Sequence, residues 1–487
     1  MPAANTTTTT TTTRRGFIAG SLALAGTAGA ASAGLPLTSS RRVGPRAQRL
    51  IDAVTRGDHS TVDRELTLQP QLISTRDDKG RGLFTLALVC RHPRVCEVLR
   101  QHGHEPDLHE SAALLDWDRV DELAAADQSR VNETHPIGGT AMFAAALGGA
   151  GSDMWRVYRY CGLPNRRADG GVSPLRAALD HPALATAELT AATLLGNGAD
   201  ASQVGPDGWT PLHAAAARGS TEIIEMLVRK DAPIDATTPQ GHRAIDLAER
   251  LGHEAAAAML LDHARIPREH TAGRRALDAS GAPYAPPAFA DLPLPIRRDF
   301  VGAAHGNLAA LKERVAEDPR FVHSVATTNE AAVEAGAHMG NVEIVEYLLD
   351  LGAPYDLPTA VMRGDEATVR ARLKADPQSV NERGAHDYPL LWYPSIGRGS
   401  PKMVAIAVLL LDAGALVERQ HYLGTTALHL AAQRGHADLA ELMLDHGANP
   451  NRVGRKFSAE GQTPLHLAER GGHDGIAALL RSRGATG

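Results

Sequence analysis

The chain has little cysteine and few aromatic residues. Among its 487 residues there are three cysteines, Cys90, Cys96 and Cys161, and the aromatic types together contribute 4%. An odd and sparse set of cysteines provides no disulfide framework. We expect buried thiols, although a bridge between Cys90 and Cys96 is an open alternative if the chain enters an oxidising compartment. A core with so few aromatic rings must rely on Leu, Ala and Val, as stacks of small helices do.

Excess positive charge and the common catalytic motifs are also missing. The net charge is −6, and removal of the two arginines in the predicted signal described below would leave −8. A mildly acidic chain argues against nucleic acid as the main partner. The sequence has no G-x-S-x-G, H-E-x-x-H, phosphate-binding G-K-[ST] or Cys-x-x-Cys motif. We therefore expect a non-catalytic protein without a cofactor.

The N-terminal segment has the composition of an export signal. Residues 11–34 read "TTTRRGFIAGSLALAGTAGAASAG", in which an arginine pair precedes a short, weakly apolar run and the cleavage-type sequence Ala31-Ser32-Ala33. "TRRGFI" resembles the twin-arginine signal, although Ala19 stands where that family often has Lys. The resemblance implies a signal over residues 1–33 and a periplasmic or secreted protein. A Sec-type or disordered leader is the alternative.

The predicted mature chain carries neither a lipid anchor nor a membrane span. The apolar run is too short and too mild for a stable span. No cysteine lies near residue 33, where a lipidated signal would need one. We therefore expect a soluble mature protein.

A repeated pattern of two short helices runs through the rest of the chain. In "DGWTPLHAAAARGSTEIIEMLVRKDAPID" (207–235), Thr210 is suited to a helix N-cap and Pro211 to the first turn. Gly219 ends this first helix, which is rich in alanine. Ile224 and Leu227 then belong to an apolar face at helical spacing, which predicts a second helix.

This pattern resembles the ankyrin repeat, whose signature is T-P-L-H-x-A-A followed by a glycine, a second helix and G-A-D. It recurs at 424–451 and 461–485, and the distance from Thr210 to Arg243 is the ankyrin period of 33 residues. The resemblance implies an all-α solenoid of helix–turn–helix repeats with hairpin loops. It also implies a structural role, hydrogen bonding between repeats, for the histidines at the T-P-L-H position, His213, His429 and His466.

The repeats form two related arrays. Gly57 and Gly306 are 249 residues apart, as are other matching pairs before position 132, whereas Thr210 and Thr426 are 216 apart. The offsets differ by 33, so the array was duplicated with one repeat more in the first copy. We predict a first ankyrin array at 46–264, a Pro-rich linker at 265–296 and a second array at 297–487.

Six residues are candidates for contact with a partner protein. In "DYPLLWYPSIGRGSP" (387–401), two aromatic residues stand where the first copy has Ala177 and Ala178. They form either a recognition patch, because Trp and Tyr are enriched at interface hot spots, or a locally repacked core. Other candidates lie at or near predicted hairpin tips. The full set is Trp209, His242, Tyr388, Trp392, Tyr393 and Tyr422.

One segment has a composition that could suit a metal ion. "QHGHEPDLHE" (101–110) contains His102, His104 and His109, but the second copy has no histidine at the matching positions. We therefore predict ordinary turn residues and no metal, with a metal-binding envelope protein as an alternative.

The most direct functional interpretation is a scaffold that binds another protein through an extended surface. We expect a monomer whose two arrays provide two sites or one long site. A chaperone or inhibitor of a periplasmic enzyme is a further alternative.

Overall fold

A computed structural model describes residues 44–262 and 292–486, except positions 169, 327, 329, 397–400, 422–423 and 455–461. The predicted signal at 1–33, most of the predicted linker and Tyr422 lie outside the described residues. Within them there is no β-strand, only isolated bridges that close hairpin loops. None of the described helices is both long and apolar enough to cross a membrane.

The described residues form antiparallel helix pairs that stack in chain order, which confirms the expected all-α solenoid. Among the described residues, seven pairs precede residue 262 and six follow residue 292. The pairs of the first part are Pro45–Arg56 with His59–Leu68, Leu83–Val89 with Pro93–Gln101, Leu108–Leu114 with Trp117–Ala126, Ala141–Gly148 with Trp155–Arg159, Pro174–Leu179 with Leu184–Gly196, Pro211–Arg218 with Thr221–Arg229, and Ala244–Arg250 with Glu254–Leu261.

The second part repeats this plan. Its first helix begins at Leu294, within the last residues of the predicted linker. The pairs are Leu294–Ala303 with Leu308–Glu317, Ala332–Met339 with Val342–Asp350, Leu357–Arg363 with Glu366–Ala375, Tyr393–Ile396 with Pro401–Asp412, Ala427–Arg434 with Ala437–Asp445, and Pro464–Arg470 with Asp474–Ser482.

The ends of the helices follow from local sequence. Thr210 accepts a hydrogen bond from the backbone N–H of His213, and Pro211 occupies the first turn, so the N-cap prediction is confirmed. Gly219 ends the helix with a φ of 72°, a conformation that costs glycine little. In four repeats that lack T-P-L-H, the second helix runs into a short 3-10 turn, at Pro70–Ser74, Gln128–Asn132, Pro319–His323 and Pro377–Asn381.

The core lies between and within the helix pairs. Alanine dominates the first helix of each strong repeat, so neighbouring helices approach closely; Ala215 and Ala216 are fully buried. Ile224 and Leu227 of the second helix are also fully buried. All three cysteines are free thiols, and burial raises the pKa of Cys96 to about 12. The expectation of buried thiols is confirmed for Cys96 and Cys161.

In four repeats, a histidine at the start of the second helix is hydrogen-bonded to the repeat before it. His253 Nε2 donates to the carbonyl oxygen of Ala217 at 3.1 Å, where that helix leaves carbonyl groups without an internal partner. The same bond joins residues 37 to 41 positions apart in three other places. These are His92 to Thr55, His436 to Ser395 and His473 to Gln433.

A glycine makes room for the histidine ring in three of these connections. A Cβ at position 219 would lie 2.5 Å from Nδ1 of His253, and Gly57 and Gly435 approach their histidines equally closely. Glycine is therefore required at this position for two reasons. It adopts a positive φ at little cost, and it has no Cβ to collide with the histidine ring.

We predict that Gly219→Ala lowers the free energy of unfolding by about 2–4 kcal/mol. The strained φ contributes about 1–2 kcal/mol and the displaced ring the rest. Gly241→Ala is the matched control, because Gly241 has a φ of 82° but a Cβ there would meet no atom of the described residues within 4 Å. Urea unfolding followed by circular dichroism measures both. Equal losses in the two variants would show that the contact with His253 contributes nothing.

Candidate functional site

The most unusual part of the described structure is the hairpin loop 383–389. Its bridge joins Arg383 to Pro389, the same span as the bridges Arg76–Gly82, Thr237–Arg243 and Val325–Ala331. Within this loop His386 and Asp387 both have positive φ, 53° and 64°. Such a conformation costs a non-glycine residue about 1–2 kcal/mol, so surrounding contacts must hold it.

Those contacts come partly from the first array. The buried carboxylate of Asp387 lies 3.0 Å from Nη1 of Arg383 in its own loop. Across the junction it lies 3.5 Å from Nζ of Lys230 and 3.9 Å from Nη2 of Arg229. Breaking a buried ion pair is costly because it leaves the partner charge buried. The loop therefore joins the two arrays through charges that water hardly reaches.

Four potential metal-ligating side chains meet behind this loop. His305 follows the helix Leu294–Ala303, Glu330 precedes the helix Ala332–Met339, His338 lies within that helix, and His386 belongs to the loop. Glu330 Oε1 lies 3.6 Å from His305 Nε2 and 3.4 Å from His338 Nε2, and Glu330 Oε2 lies 3.2 Å from His386 Nε2. One ligand atom from each residue can be chosen so that all lie within 4.8 Å of one another.

Burial and charge set the protonation of this cluster. Burial alone would raise the pKa of Glu330, but His386, His338 and His305 outweigh it and lower that pKa to about 2. Burial lowers the pKa of His338 to about 3. At neutral pH the cluster therefore combines an ionised carboxylate with a neutral His338 ring, which are the forms that ligate metal ions.

Next to the cluster, aromatic rings line a cavity of about 320 Å³. The ring of Tyr388 stacks on Trp392 with centroids 5.0 Å apart and meets His421 edge-on at 4.7 Å. Burial raises the pKa of Tyr388 to about 12 and lowers that of Arg434, which also lines the cavity. Since His338 forms part of the same wall, the cavity and the cluster share a side chain.

The structure corrects the prediction of a surface patch at Trp392 and Tyr393. Their side chains are only 5% and 1% exposed, so a protein partner cannot reach them in this conformation. The hydroxyl of Tyr393 packs on the backbone of Gly384, where a Cβ would lie 1.7 Å from the oxygen. The repacked core, the alternative interpretation, describes both residues. Tyr388, of intermediate burial, belongs to the same aromatic group.

Trp209 and His242 occupy a different place, at successive hairpin tips of the first array. Both are partly exposed. The tips touch, because a Cβ on Gly208 would lie 2.6 Å from Pro239 of the next loop. Arg176 lies over the Trp209 ring, 5.6 Å from its centroid, and is itself buried and paired with Asp207. The tryptophan therefore sits on a fixed support.

The histidines of segment 101–110 do not converge. His102 contacts Asp63 at 2.8 Å, His104 contacts Glu110 at 2.8 Å, and His109 Nε2 donates to the carbonyl of Glu133 at 3.1 Å. Each histidine thus has a separate partner, and the three do not share one site. The structure instead groups His109 with Asp107 and His135.

The T-P-L-H histidines connect repeats as the resemblance implied. His213 Nε2 donates to the carbonyl of His242 at 3.1 Å, and His429 Nε2 donates to that of Gln462 at 3.2 Å. These two structural roles are confirmed. In the last repeat, His466 Nδ1 contacts the hydroxyl of Thr463 at 2.9 Å.

Sequence reasoning missed the cluster around Glu330, because its members are spread over more than eighty positions. One signal was present. At the offset of 249, the first array has Arg56, Arg81 and Val89 in place of His305, Glu330 and His338. At the same offset Ile137 stands in place of His386. All the ligating groups thus belong to the second copy alone, which a comparison of the copies could have revealed.

Comparison with known proteins agrees with the geometry. The family model for ankyrin repeats matches residues 183–269 and 396–486. Protein fem-1 homolog A of Danio rerio is 36% identical over 141 residues. That alignment spans 26% of this chain and 22% of the relative, so the likeness covers a minor part of both proteins. The chain therefore contains ankyrin repeats, and its fold is an all-α ankyrin solenoid.

We predict that His429 makes the protein less stable in mild acid. Burial lowers its pKa to about 4, below the 6.5 expected when unfolded, so the unfolded state binds more protons as pH falls through this interval. The stability that His429 contributes is complete above pH 6.5 and falls by roughly 2 kcal/mol between pH 7 and pH 5.

The test compares urea unfolding at pH 7 and pH 5. His429→Asn should remove this part of the pH dependence, whereas His446→Asn, at an exposed position, should retain it. Identical pH dependence in the native chain and the His429→Asn variant would contradict the assignment.

Proposed function

We propose that this ankyrin-repeat solenoid is a non-catalytic scaffold that binds another protein outside the cytoplasm. Ankyrin repeats imply a protein-interaction scaffold, since each repeat adds to one extended surface. We choose the binding surface from one observation: two touching hairpin tips of the first array expose parts of Trp209 and His242. Tryptophan is among the residues most enriched at interface hot spots.

The support under Trp209 favours this surface. Arg176 forms ion pairs with Asp180 and Asp207. Burial alone would lower the pKa of Arg176, but these two carboxylates outweigh burial and raise it. A ring held in place loses little freedom when a partner binds, and that saves part of the free-energy cost of association. The partner face is therefore assigned to the first array rather than to the buried aromatic group of the second.

Export is proposed from the sequence at the N-terminus. Arg14 and Arg15 precede an apolar run and an A-x-A sequence, and the twin-arginine route carries proteins in the folded state. A solenoid with mostly local contacts folds quickly, so folding before transport is consistent with the fold.

We predict that Trp209→Ala weakens partner binding by about 2 kcal/mol, roughly a 30-fold rise in Kd. The mature chain, residues 34–487, serves as bait in an extract of the cell envelope, and captured proteins are quantified with native and variant bait. Trp155→Ala is the matched control, because Trp155 is 47% exposed and also lies beside an arginine, but starts a helix instead of forming a tip. A partner lost equally with both variants, or with neither, would refute the assignment of the tips.

We predict that replacing Arg14 and Arg15 together by lysine stops export, although the charge is unchanged. The route reads the arginine pair itself, so the precursor should stay in the cytoplasmic fraction. The same replacement at Arg41 and Arg42, a second pair beyond the predicted cleavage position, is the control and should leave export intact. Immunoblotting of cell fractions measures both. Normal export of the Arg14 and Arg15 variant would exclude the twin-arginine route.

A further inference from the structure

The cluster around Glu330 has the spacing of a metal site. The three contacts between its carboxylate oxygens and histidine nitrogens measure 3.2, 3.4 and 3.6 Å. Ligand atoms placed tetrahedrally at 2.0–2.1 Å from zinc lie about 3.3 Å apart. The contacts with the carboxylate therefore have the separation of neighbouring ligands of one ion, and one atom from each of the four residues can be chosen so that all lie within 4.8 Å of one another.

Hydrogen bonds outside the cluster orient two of the rings. His305 Nδ1 lies 3.0 Å from the carbonyl oxygen of Val301, an acceptor, so this nitrogen carries the proton. His386 Nδ1 lies 2.8 Å from Oδ1 of Asn197. The amide of Asn197 is itself oriented, because its Nδ2 donates to the carbonyl of Thr193 at 2.7 Å. In the neutral rings, both Nε2 atoms therefore present lone pairs to Glu330.

This arrangement sets acceptors against acceptors. The lone pair of His305 Nε2 faces a carboxylate that also only accepts. His386 Nε2, 3.2 Å from Glu330 Oε2, hydrogen-bonds to that carboxylate when its ring is protonated. Three buried atoms make no hydrogen bond within the described residues. They are Nδ1 and Nε2 of His338 and Oε1 of Glu330. Buried polar atoms without partners cost free energy. A proton shared between His386 and Glu330 would relieve one contact and leave His338 unsatisfied, whereas one cation at the centre would satisfy all four groups.

We propose that His305, Glu330, His338 and His386 bind one divalent transition-metal ion, with zinc as the expected occupant. Imidazole nitrogen is a ligand that zinc and its neighbours in the first transition row prefer, whereas calcium and magnesium prefer sets of oxygens. Three neutral histidines and one carboxylate leave a net charge of +1 with a divalent ion. Val301 and Asn197 are the outer partners that fix the ligand orientation.

The second group of possible ligands shows a different chemistry and provides a control. Asp107 Oδ2 lies 2.8 Å from His135 Nε2, and His135 Nδ1 accepts from the N–H of Ile137, so His135 Nε2 carries the proton that it donates to Asp107. His109 Nε2 donates to the carbonyl of Glu133. Each of these contacts pairs a donor with an acceptor, although His109 Nδ1 is buried without a hydrogen-bond partner within the described residues.

A bound ion would cross-link segments that already pack against one another. It would tie the loop 383–389, through His386, to the helix Ala332–Met339 and to the end of the helix Leu294–Ala303. Asn197 extends the connection to the first array. Because an ion that binds only the folded state stabilises it by mass action, metal should raise the stability of this junction.

The test uses the full chain after dialysis against a chelator. Zinc is added in competition with a chromophoric chelator, and cobalt(II) is added separately so that its visible spectrum reports the ligand set. We expect one zinc per chain, a higher unfolding temperature with zinc, and a cobalt spectrum of low-symmetry nitrogen and oxygen coordination. Binding of no zinc, or a cobalt spectrum of the fully hydrated ion, would overturn the proposal without the need for any variant.

Variants then locate the ion. His305→Gln changes a ring that is 34% exposed, so the variant is expected to fold, which circular dichroism checks. Asn197→Ala should weaken zinc binding roughly 10- to 100-fold as the loss of an outer partner, and His305→Gln and Glu330→Gln should weaken it more. His135→Gln, in the control group, should bind zinc as the native chain does. Zinc binding that His135→Gln removes and His305→Gln leaves intact would place the ion elsewhere and overturn the proposal.

Discussion

Contact between neighbouring repeats is the interaction on which the rest of this structure depends. No helix pair can bury its apolar face alone, so each pair needs the next. Alanines such as Ala215 let the first helices approach, and histidines such as His253 donate to carbonyl groups that end the previous helix. Gly219 is required because the ring packs on its backbone. Close stacking and hydrogen bonding thus occur at the same positions in each unit.

The loop 383–389 departs from this plan. Instead of pairing with the next repeat only, it carries His386 and Asp387 into contact with the first array, and it does so with two strained backbone positions. The aromatic group of Tyr388, Trp392 and Tyr393 fills the space beside it. Buried charge, backbone strain and buried polar atoms without hydrogen bonds are concentrated around this loop. In other proteins the same features are concentrated in functional sites. The first array, in contrast, keeps its regular tips, and Trp209 remains partly exposed.

The sequence predicted what depends on neighbours in the chain. Thr210, Pro211 and Gly219 define helix ends through contacts within a few residues, and the period of 33 follows from counting. The burial of Trp392 was left open, because whether two aromatic rings fit depends on the width of the space between helices that only the stacked repeats define. The ligand cluster was missed for a related reason: Glu330 and His386 meet only after several repeats have stacked. The spacing of these residues along the chain does not predict that they come together. The differences between the second copy and the first do point to them.

The contact between His386 and Asn197 has a consequence for the order of folding. It joins residues 189 positions apart, whereas the histidine bonds between repeats described above span 29 to 41. Closing a longer loop costs more chain entropy, and both surfaces must exist before they can meet. We therefore expect each array to assemble first, by propagation from unit to unit, and the junction to close last. On this expectation, folding of the chain ends with a docking step between two solenoids that are already formed.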